Sequence, residues 1–314
     1  MMMRAERAQL RIAALAAAVF VSVTGTPIAQ EGSSPEVARA LAGAVDIHVH
    51  SAPDDRPRSI DAVDVARLAR MRGMRAIVLK NHFEPTASLA YVVRKVVPDL
   101  EVFGGIDLNL TVGGINPAAV EHMTRMTGGW GRFVWMPTFD AENQVRYSRE
   151  NRPSVPITSN GVLRPEVTQV ISLIAKHDLV LATGHSAADE VLQLVREGQR
   201  VGVRHMVVTH AMNAPILMSV SQMKEAAAAG AFIEFVGGSL ADADAPQRMR
   251  RFADAIRQIG PQSSILSSDL GQAGNALPPD GFGAFLVALR GLGFTQQEMD
   301  LMSKENPARL LGLK

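Results

Sequence analysis

The sequence predicts an α/β chain folded as a single (β/α)8 TIM barrel behind an N-terminal signal segment. Eight short apolar runs alternate with amphipathic stretches across about 270 residues, the size such a barrel takes. The runs are rich in Val and Ile and mostly do not alternate with polar residues, as expected of parallel strands covered by helices. Histidines fall where several of those runs end, the face on which barrels of this kind carry chemistry.

The signal segment comes first in the chain. Arg4, Arg7 and Arg11 precede an apolar stretch from Ile12 to Thr24. That stretch is short of the roughly 20 apolar residues of a spanning helix. Gly25-Thr-Pro-Ile-Ala29 offers small residues for cleavage, although Pro27 is awkwardly placed for a cut after Ala29. The expected organisation is a signal peptide over residues 1–29, a short lead over 30–44 and the barrel over 45–314. Export to the periplasm or the medium follows, with an uncleaved N-terminal anchor as the alternative. No cysteine follows the apolar run, so a lipidated anchor is excluded.

The expected strands are Val45–Val49, Ala76–Leu79, Leu100–Leu108, Arg132–Met136, Leu179–Thr183, His205–Thr209, Ala231–Val236 and Ser264–Leu266. Ser59 is the expected cap of a helix carrying Val63, Leu68 and Met71, Thr86 that of Leu89–Val97, and Ser186 that of the Val191–Val195 helix. Thr295-Gln-Gln-Glu298 has the capping-box pattern ahead of Met299–Leu311. One long gap after the fourth strand holds the polar, proline-bearing stretch Asp140–Arg164, read as a loop inserted over one end of the barrel. A doubly wound open sheet is the rival architecture. It has fewer strands and a glycine-rich first turn, whereas the first turn here reads His48-Val-His-Ser-Ala-Pro53.

Of the 314 residues, 47% are hydrophobic and 20% charged, and the net charge is +1. A balanced charge gives no electrostatic case for nucleic acid or an anionic membrane as partner, and no membrane contact is expected once the signal is removed. The expected partner is a small-molecule substrate, with a homo-oligomer left open. Cysteine is absent, which excludes disulfides, thiolate metal sites and cysteine nucleophiles together. Any metal must sit on His, Asp, Glu or a modified Lys.

His48 and His50 end the first strand two residues apart, which puts both imidazoles on one face. His82 follows the second strand, His185 the fifth, His210 the sixth and Asp269 the eighth. A His-x-His tripeptide alone is weak. Joined by His185, His210 and Asp269 at the same barrel mouth, it points to a divalent metal on imidazole and carboxylate ligands. Zinc leads, with manganese, iron and nickel as alternatives, and the site could take one ion or two.

With these motifs in place, Asp46-Ile-His48-Val-His50, the histidines after strands five and six and the Asp after strand eight, the sequence resembles the amidohydrolase superfamily of metal-dependent hydrolases over residues 45–314. The closing Glu305-Asn-Pro-Ala-Arg-Leu-Leu-Gly312 is similar to that family's terminal helix. The resemblance implies that His48, His50 and Asp269 hold one metal and that His185 and His210 hold a second or assist the first. It also implies that Asp269 is the proton acceptor for the attacking water. One departure stands out: the fourth strand ends Trp135-Met-Pro-Thr-Phe-Asp140, without the lysine that commonly bridges two metals. Lys80 could supply that bridge, carboxylated on its amine. It could equally be a substrate-binding cation or a salt-bridge partner.

The expected reaction is metal-dependent hydrolysis of an amide, ester, lactone or cyclic amide, with Asp269 as base then acid and His210, if unligated, stabilising the oxyanion. Arg56, Lys80 and His82 are the expected substrate-binding residues, suited to a carboxylate or phosphate; Arg56 and Arg58 could instead pair with Asp54 and Asp55. Glu234, charged within an apolar run, is expected to orient a ligand histidine from behind or to bond a buried cation. Met136 and Phe139 read as packing. The rival functions are a metal-dependent decarboxylase, a Schiff-base enzyme built on Lys80 and a catalytically silent exported binding protein.

Overall fold

The computed structural model describes residues 34–313. The expected signal peptide over 1–29 lies outside the described residues, as does the start of the lead. Within the lead, Pro35–Leu41 forms a helix whose first turn is capped by the Ser34 hydroxyl accepting from the Val37 N–H. This helix packs on Pro278–Arg290, where Gly283 leaves no room for a Cβ against Val37 and Leu41.

Eight parallel strands follow: β1 Val45–Val49, β2 Ala76–Leu79, β3 Glu101–Asp107, β4 Gly131–Trp135, β5 Val180–Ala182, β6 His205–Val208, β7 Phe232–Val236 and β8 Ser264–Ser267. They pair in sequence order. The ring closes just past β8, where the Asp269 N–H donates to His48 O at 3.0 Å and the His50 N–H to Leu270 O at 2.9 Å. This is the expected (β/α)8 barrel. Among the described residues no helix is long and apolar enough to cross a membrane.

Two apolar layers hold it together. Ile77, Leu79, Val134, Leu181, Ile233 and Leu266 face the surrounding helices, while Val45, Ile47, Val78, Phe133, Trp135, Val180 and Ile265 fill the interior. Leu310 and Leu311 of the last helix join the inner cluster and plug it. The interior is therefore packed floor, and polar groups have room only above it.

Several local expectations are corrected. Asp61, not Ser59, caps Ala62–Met71, accepting from the N–H groups of Val63 and Asp64; a carboxylate at the N-cap satisfies two orphan donors at once. Ser186 lies one residue too early. Ala187 holds the cap position of Ala188–Val201, and Glu190 reaches back to its N–H at 2.9 Å. Thr86 stands at the N-cap of Ala87–Val96, but its hydroxyl is taken by Leu79 O and the Gly105 N–H, so it ties β2 to β3 instead. The insert 140–164 is not structureless: it folds as the helix Glu142–Tyr147 and a hairpin of Thr158–Ser159 with Val162–Leu163. The capping box at Thr295 and Glu298 forms as expected, while the helix beyond it is interrupted by a π-helical stretch, Leu301–Glu305.

Candidate metal centre and barrel mouth

Strict alternation along β1 would send His48 outward, because Val45 and Ile47 lie in the inner cluster. The pairing with β2 shifts between Asp46 and Val49, where β1 spends one residue more than its neighbour. Such a bulge re-aims side chains, and His48 and His50 both turn inward above the floor. Asp269 arrives from the far side of the seam in a left-handed conformation, φ +52°, and His210 at φ +26°. Strained backbone of this kind persists where surrounding structure fixes it. Gly271 is obligatory beside them, since a Cβ there would stand 2.0 Å from His50 O.

The result is a tight triangle. Asp269 Oδ1 lies 3.2 Å from His48 Nε2 and 3.1 Å from His50 Nε2. Among the described residues this is the one cluster of three donors whose ligand atoms lie within 4.8 Å of one another. Ligand bonds of about 2 Å at tetrahedral angles put donors about 3.3 Å apart, and the two sides of the triangle that meet at Asp269 have that length. The proton count agrees. His48 Nδ1 faces both oxygens of Glu234, at 3.2 and 3.4 Å. An ionised Glu234 accepts from the Nδ1–H there, which leaves Nε2 facing an anionic Asp269, a contact that needs a proton or a metal cation between the two. The residues present fit a divalent metal.

In the metal-free protein the electrostatics favour the proton. Burial would push the His48 imidazole down, but Asp269 and Glu234 at its two nitrogens outweigh burial and hold it above its usual value. Burial dominates at His50, which falls to about 3 despite its contact with Asp269. Burial would raise Asp269, yet His48, His50 and His210 hold it well below the usual carboxylate range. Glu234 is likewise lowered against burial, chiefly by His48.

His185 and His210 reach the same mouth. Their rings lie 5.0 Å apart, and that of His210 lies 5.8 Å from His48. His185 Nδ1 is 2.8 Å from Gln144 Oε1, while the His210 N–H donates to Glu234 Oε2 at 2.9 Å. The turn before His185 needs Gly184, because a Cβ there would meet Met136 O at 2.1 Å.

Lys80 sits on the other side of the mouth, wholly buried, with Nζ 3.3 Å from Asp107 Oδ2 and 3.4 Å from His82 Nδ1. Burial raises Asp107 to about 6, against the pull of Lys80. His82 stacks on His50 at 5.0 Å and packs against Phe139 at 4.0 Å. Phe139, read from sequence as packing, thus lines the mouth, and the Arg56 guanidinium lies 4.4 Å over its ring. Arg56 also pairs with Asp55, and Arg58 with Asp54. Asp107, Thr138, Asn109 and Gln144 are site residues that no motif announced. Asp107 alone left a signal, a charge at the end of an apolar run, the same cue that singled out Glu234.

Residues 43–234 match the model of a family described as a family of unknown function, DUF6282. No curated protein matches the chain. Solved structures share the fold at low identity. A zinc-bound amidohydrolase from Burkholderia multivorans is similar with a TM-score of 0.61 and 15% identity over 87% of this chain and 100% of its own. A 2,6-dihydroxybenzoate decarboxylase from Rhizobium is similar at 0.51 and 14%, over 86% and 99%. A structure described as a putative 2-pyrone-4,6-dicarboxylic acid hydrolase from Pseudomonas putida is similar at 0.54 and 14%, over 86% and 97%.

Proposed function

Taking as premise that the chain belongs to the family of unknown function DUF6282, we propose that it is a metal-dependent hydrolase of small molecules, cleaving an amide, ester, lactone or cyclic amide. The observation that carries this is the His48, His50 and Asp269 triangle with Glu234 behind it. A divalent cation held there, zinc first among the candidates, supplies Lewis acidity and lowers the pKa of water from 15.7 toward about 7.

The chain's own groups do the rest. Glu234 holds the His48 ring in the tautomer that keeps Nε2 free. Asp269 is the member of the triangle with solvent access, its side chain 25% exposed, so it can take a proton from water at the mouth and return it to the leaving group. His210, beside His48 and His185, is placed to donate to the oxygen on which charge develops. The inner cluster beneath excludes water from below.

Zinc-loaded protein with Asp269→Asn, its metal content measured alongside, should lose about a thousandfold in turnover of a small amide or lactone panel. Turnover equal to wild type at equal metal content would refute the role. Carbon dioxide release from carboxylated substrates in place of hydrolysis would assign the site to decarboxylation, the activity named for one of the similar structures. The arginine-flanked apolar run at residues 4–24 supports export; N-terminal sequencing of periplasmic protein should begin near residue 30.

A further inference from the structure

The mouth has a second polar construction that the proposed hydrolysis does not use. His82 Nδ1 lies 2.9 Å from Thr138 Oγ1, Thr138 Oγ1 lies 3.0 Å from Asp107 Oδ2, and Asn109 Nδ2 donates to Thr138 Oγ1 at 2.7 Å. A hydroxyl has one proton to give and two lone pairs to fill. Above the Asp107 value of about 6 its carboxylate demands the Thr138 proton. Asn109 fills one lone pair, and what remains at Thr138 is an acceptor. His82 must therefore carry its proton on Nδ1. Lys80 competes for the same nitrogen, but at 3.4 Å it is the longer contact, and its ammonium also faces Asp107. Asn109 is itself fixed: its oxygen accepts from the Thr138 and Asp140 N–H groups, and its second amide proton goes to His82 O.

The other ring nitrogen is left as a lone pair. His82 Nε2 has no hydrogen-bond partner among the described residues, and it is absent from the sealed, unpartnered atoms that include Nδ1 of His50 and His210. The ring lies between His50 at 5.0 Å and His185 at 6.1 Å, with Phe139 against it.

We infer that His82 is a substrate-contacting residue whose Nε2 accepts a hydrogen bond, so that the molecule bound here carries an N–H or O–H donor beside its reacting carbonyl, with Thr138 and Asp107 as the residues that fix the acceptor. Secondary amides, cyclic imides and hydroxylated esters meet that demand; N-alkylated analogues do not. The inference rests on the hydrolase reading for its carbonyl and on the hydrogen bonds above for its donor.

The test uses the full, zinc-loaded chain labelled with 15N-histidine at about pH 7.5, with His82 assigned by its loss in His82→Phe. Long-range 15N–1H correlation should show Nδ1 protonated and Nε2 bare. Succinimide should move the Nε2 resonance toward the protonated position and bind about five- to tenfold more tightly than N-methylsuccinimide, a typical worth for one hydrogen bond. His82→Phe should bring the two probes within about twofold. Thr138→Val should move the proton to Nε2, and Thr138→Ser, which keeps the hydroxyl, should restore the wild-type pattern. A protonated Nε2 in wild type, or an equal or absent response to the two probes, overturns the inference. Neither readout needs turnover, so absence of hydrolysis would count against the proposed reaction alone.

Discussion

Around β1, β7 and β8 two carboxylates, Glu234 and Asp269, meet imidazoles and no resident cation; around β2 to β4, Asp107 meets the buried ammonium of Lys80 at 3.3 Å. With its imidazoles neutral the first side is short of two positive charges, the charge of one divalent ion, and aims nitrogen lone pairs at the gap. The second carries its own cation and closes its hydrogen bonds through Thr138 and Asn109. A buried charge must be paired or coordinate a metal. The difference teaches where an exogenous ion belongs and where the protein has built a fixed wall. It also sets the status of Lys80, which is the salt-bridge partner of Asp107.

The comparison breaks most plainly if the first side can dispense with its imidazoles. His48→Ala combined with His50→Ala should leave the purified protein without stoichiometric metal by elemental analysis; retention of a full equivalent would place the ion elsewhere. Removing the second side's cation should cost stability instead. Lys80→Met strands Asp107 in the interior, and urea unfolding should show a loss of about 3–5 kcal/mol. The pair Lys80→Met with Asp107→Leu should recover most of that, and no recovery would mean that Asp107 was not the partner that mattered.

Smaller effects sharpen the contrast. Glu234→Gln keeps the contact with His48 but not its charge, so zinc affinity measured by chelator competition should fall about 10- to 100-fold; an unchanged affinity would remove Glu234 from the centre. Asp46, which accepts from the backbone N–H groups of His48 and Ser268, gives a pH signature. Burial pushes its carboxyl from 3.8 up to about 7. Because the folded value exceeds the unfolded one, its contribution to stability is whole below about pH 4 and lost as pH rises through about 7. Asp46→Asn keeps an oxygen for the His48 and Ser268 N–H groups. In metal-free protein the variant should gain on wild type between pH 4 and pH 8, and parallel profiles would show that Asp46 does not titrate there.

The barrel was legible because strand runs and helix periodicity repeat along the chain, and the first side of the mouth because His48 and His50 form a local pattern and Glu234 interrupts an apolar run. The second side was not. Lys80 and His82 were singled out from sequence, but Asn109 and Thr138 are unremarkable polar residues alone, and the pairing of Lys80 with Asp107 and the role of Thr138 exist only in contacts between three successive strand ends. Helix caps failed by one or two positions for a related reason: Asp61 and Ser59 both suit an N-cap, and only the chain path into β1's loop chooses. The hydroxyl of Thr86 had a tertiary claim, Leu79 O, that no local pattern carries.

The extra residue in β1 between Asp46 and Val49 has a wider consequence. It lets a single strand keep two opposite phases, hydrocarbon facing in at its start and imidazole facing in at its end. Without that residue, plain alternation from Val45 would also bring both imidazoles inward, so what the bulge adds is room for Ile47 in the packed floor directly beneath them.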